Sequence, residues 1–329
     1  MITFWIIVFI VSLVVLVKGA DWLLGSAENI GIHFGLSPFV IGVLITGVGT
    51  SLPELASSIA AVFQGASEIV VANAIGSNVA NVLLVIGVSA VVGRRLVIAK
   101  DLIDLELPLL AISTVLFLGV VYDGIVGRFE AMFLVIAYTI YLIYTVLNKG
   151  SMDENFVGTI ERQAEEMIEE YKNKFLYKFI KPIVLLKDYI FLVLGIVALS
   201  LGAKYLIDSV IELSYIFGVA TSVISITAVA LGTSLPELLV SIKAVLKKKY
   251  EVSIGNILGS NAFNALMVVG LPGVVAPLML DVKTFYIGVP FMALVTLLFV
   301  ISGISRRIHN WEGMMYLVLY LFFIMKLFA

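Results

Sequence analysis

Glu54 and Glu237 stand in the same setting. Gly49-Thr-Ser-Leu-Pro-Glu-Leu55 recurs as Gly232-Thr-Ser-Leu-Pro-Glu-Leu238, and both copies fall near the middle of long apolar runs. An ionised carboxylate at the centre of a transmembrane helix costs about 2.5–3.5 kcal/mol on insertion scales, so a pair of them calls for a chemical reason. Pro53 and Pro236 lack the backbone donor a continuous helix needs, which predicts a break or kink at both. Carbonyls one turn earlier, around Gly47, Thr50, Ala230 and Thr233, then lose partners and can turn toward a cation. A second polar signature follows each carboxylate. Asn73, Ser77 and Asn81, and likewise Asn256, Ser260 and Asn264, are spaced i, i+4, i+8 and so lie on one helical stripe, each closing 27 residues after its glutamate.

Each feature also has a purely structural reading. Ser51-Leu-Pro-Glu54 and Ser234-Leu-Pro-Glu237 match the Ser-x-x-Glu capping box with proline just inside the helix, so each glutamate could cap a half-helix. The asparagine and serine stripes could be hydrogen-bonding glue between helices, beside Gly76 and Gly259. Capping accounts for one carboxylate but not for the stripe that follows it, and the double occurrence favours one joint site. Oxygen-only donors, two carboxylates and a flexible broken-helix scaffold select hard cations. Calcium accepts six to eight oxygens in irregular geometry, whereas magnesium demands a tight octahedron. Two glutamate charges balance one divalent ion or two sodium ions. Zinc, copper and iron fit poorly without His or Cys on the stripes.

These residues need a membrane scaffold to position them. Of 329 residues 61% are hydrophobic and 13% charged, and the mean hydropathy is +1.12. A single water-soluble core cannot hide that much apolar surface. A net charge of −2 with no basic patch argues against nucleic-acid binding. The absence of cysteine excludes disulfides, thiolate metal sites and cysteine nucleophiles. No His-Glu-x-x-His motif is present, so an intramembrane enzyme is disfavoured. With about 20 residues per crossing, ten spans fit: 3–24, 38–63, 69–92, 103–121, 128–147, 188–212, 221–245, 252–277, 283–303 and 311–328. The first reads as a retained transmembrane helix rather than a signal peptide. The expected fold is all-α and polytopic.

The repeat extends well beyond the heptapeptide. Ile75-Gly-Ser-Asn78 with Asn81 recurs as Leu258-Gly-Ser-Asn261 with Asn264, at the same spacing of 183 residues, and Phe129-Glu130 matches Trp311-Glu312 at 182. Residues 1–147 and 188–329 therefore form two five-helix repeats joined by a linker, 148–187. Five is odd, so the second repeat enters from the opposite side and the repeats are inverted. Basic residues orient the chain. Arg94, Arg95, Lys100, the linker's basic residues, Lys247 to Lys249, Arg306 and Arg307 share one side; Arg128, Lys283 and Lys326 share the other. This places both termini outside the cell and the linker in the cytoplasm, in an integral protein of the plasma membrane. The linker is too short for a β-sandwich calcium sensor of about 100 residues; it reads as a solvated or interfacial helix. Lys204 and Asp208 are expected to pair at i, i+4, Lys18 and Asp21 to snorkel, and His33 and His309 to lie in loops.

At the two signatures the sequence resembles the cation/calcium exchanger superfamily, specifically its sodium/calcium exchanger branch with paired α-repeats. The resemblance spans both repeats and the ten-span layout. It implies a secondary-active antiporter exchanging Na+ for Ca2+ by alternating access. Those ions and the bilayer would be its only partners, with no cofactor and no obligatory protein partner. By the same resemblance Glu54 and Glu237 would be the central calcium ligands, completed by the carbonyls of Thr50 and Thr233. Ser51, Ser77, Ser234 and Ser260 would help form flanking sodium sites with backbone oxygens near Gly47 and Ala230, and Asn81 and Asn264 would line the centre. The chain departs from the pattern at Ala72-Asn73, where Gly-Asn is usual, and at Asn264, where potassium-dependent relatives have Asp. The alternative, a Ca2+/H+ or other cation/proton exchanger, rests on the ability of buried glutamates to bind protons. The Gly-Asn-x-x-Glu signature typical of proton-coupled calcium exchangers is absent from both halves.

Overall fold

The computed structural model describes residues 2–63, 65, 67–98, 106–147, 185–216 and 234–328. Its helices are α1 (Ile2–His33), α2 (Pro38–Phe63), α3 (Glu68–Val92), α4 (Leu107–Val120), α5 (Arg128–Leu147), α6 (Leu186–Ile216), α7 (Leu235–Leu246), α8 (Tyr250–Val275), α9 (Thr284–Ile304) and α10 (Asn310–Phe328). Among the described residues seven helices are long and apolar enough to cross a membrane, and α4 is a shorter apolar helix. Most of the linker, and residues 221–233 of the expected seventh span, lie outside the described residues.

Local chemistry explains several boundaries. Ser37 caps α2, its Oγ accepting from Val40 N at 3.3 Å, with Pro38 at the first helical position. Glu130 and Glu312, matched across the repeat, make the same bond: Oε2 accepts from the backbone N–H three residues earlier, Gly127 and His309, at 2.7 Å in both. The first helix runs on to His33 instead of stopping near residue 24, because Lys18 and Asp21 are absorbed into it and Gly35 ends it at φ 70°. His33 is therefore the last residue of α1, and His309 belongs to a strand.

Four short strands were not foreseen. β1 (Arg95–Val97) pairs antiparallel with β4 (Arg307–His309), and β2 (Ile125–Val126) with β3 (Leu278–Met279). Such two- and three-residue pairs carry too little hydrophobic pattern to be read from sequence. They tie helix ends together across the two halves.

The main core gathers α2 to α5 with α8 to α10, around residues such as Val79, Leu83, Phe117, Ile257, Leu266 and Phe299. A separate small cluster joins Leu16, Ala20 and Leu23 of α1 to Leu199 and Ala203 of α6 and Val240 of α7. The crossing of α1 and α6 relies on small residues. A Cβ on Gly195 would meet Leu23 N at 2.7 Å, and one on Gly202 would meet Leu16 Cγ at 2.8 Å. Large apolar side chains, among them Phe129, Phe133, Ile136 and Ile140 of α5, are exposed on the outside, as a lipid-facing surface requires.

Candidate functional site

The site is built where α2 crosses α8. Residues Gly42–Gly47 of α2 form a π-helical turn directly ahead of the Gly-Thr-Ser-Leu-Pro-Glu segment. Here α8 comes so near that a Cβ on Gly47 would meet Asn256 O at 2.9 Å and Ser260 N at 3.0 Å. Only glycine permits this backbone-to-backbone contact. Two more π turns begin at Asn81 and Asn264, which match across the repeat. Such turns occur frequently at functional sites.

Pro53 lies inside a helix that continues through it, so the expected break is not formed there; the distortion takes the form of the π turn before it. Pro236 stands in the first turn of α7. The capping reading fails at both places. Ser51 is interior to α2, and Ser234 makes no side-chain capping bond. Ser51 Oγ instead donates to Glu237 Oε1 at 2.9 Å, joining the two signatures directly.

Glu54 and Glu237 are each 1% exposed and lie within electrostatic reach of one another. Both oxygens of Glu54 and Oε2 of Glu237 have no hydrogen-bond partner among the described residues, nor do Ser234 Oγ and the side-chain amide of Asn264. The ion pairs found among the described residues are peripheral, and no basic side chain among those residues pairs with either carboxylate. Gly47 O accepts from Thr50 Oγ1 at 3.3 Å and from Ser260 Oγ at 3.1 Å. Thr50 and Ser260 also lie near the Glu237 carboxylate.

Asn256 braces this cluster. Its Nδ2 donates to Glu237 O at 3.3 Å and to Ser241 Oγ at 3.0 Å, while its Oδ1 accepts from Thr50 Oγ1 at 3.4 Å. Asn81 Nδ2 donates to Asn261 Oδ1, and Asn78 Nδ2 to Asn261 O, both at 3.1 Å. Ser77, Asn81 and Asn264 are buried. Hydrogen bonds thus join Thr50 and Ser260 to Gly47, and Ser51 to Glu237, and Asn256 connects the two groups. Ala230 and Thr233 lie outside the described residues.

Sequence reasoning did not assign Ser241, Asn78 or Asn261 to the site. Their signal was available: Ser58 and Ser241, like Asn78 and Asn261, repeat at a spacing of 183. Elsewhere, Asp21 meets Lys243 of α7 at 3.0 Å instead of snorkelling. Lys204 places its ammonium 5.7 Å from the ring centre of Tyr205 rather than against Asp208.

Among the described residues no three His, Cys, Asp or Glu side chains gather around a common point. The polar centre offers carboxylate, hydroxyl, amide and carbonyl oxygens, a donor set for hard cations and not for soft metals. Buried carboxylates with no basic partner among the described residues, inside a bundle of apolar helices, mark the chain as a membrane protein of the ion-handling class. Comparison with known proteins agrees. The family model described as sodium/calcium exchanger protein matches residues 4–147 and 187–329. A relative named sodium/calcium exchanger MaX1, from Methanosarcina acetivorans, is 32% identical, over 100% of this chain and 99% of its own. Inner membrane protein YrbG of Escherichia coli is 31% identical, over 88% of this chain and 86% of its own. The solved structure of the sodium-calcium exchanger NCX_Mj, soaked with zero Na+ and Ca2+, superimposes with a TM-score of 0.80 at 27% identity, covering 99% of this chain and 100% of that one. The chain belongs to the sodium/calcium exchanger family.

Proposed function

We propose that the protein is a secondary-active antiporter that exchanges Na+ for Ca2+ across the membrane by alternating access. It moves ions and performs no covalent chemistry. The observation that carries this reading is the pair of buried glutamates, one from each repeated signature, whose remaining oxygens find no hydrogen-bond partner among the described residues. Buried carboxylates need a counter-charge, and two of them balance one calcium ion or two sodium ions. Calcium is held by Glu54 and Glu237 with the carbonyls of Thr50 and Thr233. Sodium is held at flanking positions by Ser51, Ser77, Ser234 and Ser260 with backbone oxygens near Gly47 and Ala230, and Asn81 and Asn264 line the centre. The family membership and the names of its relatives support this choice of ions.

The architecture in this proposal is ten membrane-spanning helices in two inverted five-helix repeats, 1–147 and 188–329, around the 148–187 linker. The strand pairs support the inversion. β1 corresponds to β3 and β2 to β4 across the repeat, so exchanging the halves carries the β1–β4 pair onto the β2–β3 pair. The chain direction puts these pairs at opposite ends of the bundle. The basic residues favour a plasma-membrane orientation with the linker and the β1–β4 pair in the cytoplasm and both termini outside.

Calcium flux into sealed vesicles, under an imposed sodium, potassium or proton gradient, tests the assignment. Sodium-driven uptake is expected. Uptake driven by a pH gradient and indifferent to sodium would move the protein to the calcium/proton class.

A further inference from the structure

At one end of the bundle three helices finish in a backbone conformation that glycine adopts most readily, yet each carries a basic residue there. Arg94 after α3, Lys248 after α7 and Arg306 after α9 have φ of 59°, 59° and 61°, a region that a side chain disfavours. Other helices end on glycine: Gly35 follows α1, Gly65 follows α2 and Gly124 follows α4. The turns after α1 and α7 are otherwise alike. Leu36 N donates to Gly31 O and Lys249 N to Ala244 O, both at 2.8 Å, the Schellman pattern, with Gly35 in one and Lys248 in the other.

The three basic ends form one surface. The β1–β4 pairing sets Arg95 opposite His309 and Val97 opposite Arg307, and Ile98 N donates to Arg306 O at 3.0 Å. Gly93 approaches α7 so closely that a Cβ there would meet Val245 Cγ1 at 2.7 Å. Arg94, Arg95, Lys247, Lys248, Arg306 and Arg307 are all exposed, and none takes part in an ion pair among the described residues. Two nearby acids are engaged elsewhere, Glu28 with Lys249 and Glu312 with His309. The opposite end differs. Arg128 Nη2 donates to Val275 O at 3.2 Å, Lys283 Nζ donates to Leu327 O at 3.0 Å, and Lys326 sits 5.7 Å from the Phe322 ring centre.

The free charges come with an apolar skirt. Exposed Val92, Leu246 and Ile304 close the three helices one or two residues before their basic residues. Complementing the helix macrodipole calls for a positive charge near each C-terminus, but not for adjacent pairs of them above exposed apolar side chains. We propose that this surface docks anionic phospholipids, the basic side chains taking the phosphate of the headgroup and the apolar skirt meeting the acyl chains. A soluble polyanion would leave the skirt unused.

The test is a titration of fluorescent phosphatidylglycerol into the detergent-solubilised full chain, with phosphatidylcholine as the neutral comparison and inorganic phosphate as competitor. Saturable binding that prefers phosphatidylglycerol, weakens as salt rises and resists inorganic phosphate is expected. Each basic residue near a membrane surface contributes about 1 kcal/mol, about fivefold in affinity. The variant Arg94→Gly/Lys248→Gly/Arg306→Gly should therefore bind phosphatidylglycerol about a hundredfold more weakly. Glycine suits those positions, so its melting temperature in neutral detergent should equal or exceed the parent's. Arg95→Gln/Arg307→Gln, which leaves the turns untouched, should lower affinity in the same direction. Parent-like binding by both variants, equal binding of phosphatidylcholine, or full displacement by inorganic phosphate would each overturn the proposal.

Discussion

Glu54 and Glu237 follow the same five residues, yet their surroundings differ. Ser51 donates to Glu237 at 2.9 Å, Asn256 braces the Glu237 carbonyl, and Ser241 holds Asn256. On the other side Ser234, Ser58 and both Glu54 oxygens have no partner among the described residues. Pro53 is enclosed in a continuous helix while Pro236 sits at a helix start. A repeated heptapeptide therefore specifies donors and helix breakers, and leaves open which donor meets which acceptor. That choice is made by the neighbouring helix. Among the described residues Glu237 is therefore the braced member of the pair, and the two carboxylates proposed to share one cargo are not held alike there.

The strongest way to break this comparison is to remove either charge. Glu54→Gln and Glu237→Gln should each reduce sodium-driven calcium uptake in proteoliposomes by at least about a hundredfold, the scale of losing a buried charge partner at about 3 kcal/mol or more. Near-normal uptake in one variant would show that a single carboxylate suffices. Next in size is the crossing that positions the braced side. A Cβ on Gly259 would meet Val43 O at 2.6 Å, so Gly259→Ala should destabilise the protein by about 1–3 kcal/mol, seen as a lower melting temperature in detergent.

The serines sharpen the comparison further. Ser51→Ala removes a hydrogen bond to a buried carboxylate and should weaken calcium binding about tenfold in calorimetric titration, whereas Ser234→Ala should change it by less than about threefold. Equal losses would mean that the two halves are functionally equivalent. The smallest effects are expected at the stripe ends. With Asn81 and Asn264 lining the centre as proposed, Asn81→Asp and Asn264→Asp would add an acid near the two carboxylates, and like charges raise one another's pKa. Transport by these variants should fall more steeply than the parent's as pH is lowered, because protonation then removes ligand charge. Parent-like pH profiles in both would return these asparagines to a helix-packing role.

Much of the site was legible because its chemistry is expensive to hide. A glutamate in an apolar run, a proline after Thr-Ser-Leu, and asparagine and serine at i, i+4, i+8 stand out against lipid-facing sequence, and their recurrence at a fixed spacing excludes coincidence. The lengths of α2, α3 and α5 were legible too, since apolar runs of about 20 residues bounded by polar or Gly/Pro breaks have few other outcomes. Other features carried no comparable signal. Ser51 and Ser234 are indistinguishable by sequence, so the bond from Ser51 to Glu237 and the failure of the capping box had to come from packing. The strand pairs are too short for a periodic pattern. The joining of Asp21 to Lys243 depends on α1 lying beside α7.

By itself, the sequence determined the inventory: apolar helices, paired carboxylates, hard oxygen donors and a duplicated frame, because each costs free energy in lipid unless it is used. Tertiary structure alone decided the pairing. The approach of α8 to Gly47 and the bond from Ser51 to Glu237 join residues far apart in the chain, and nothing in the local sequence announces them. Hydrogen bonds act over a few ångströms and report only on neighbours that packing has already brought together.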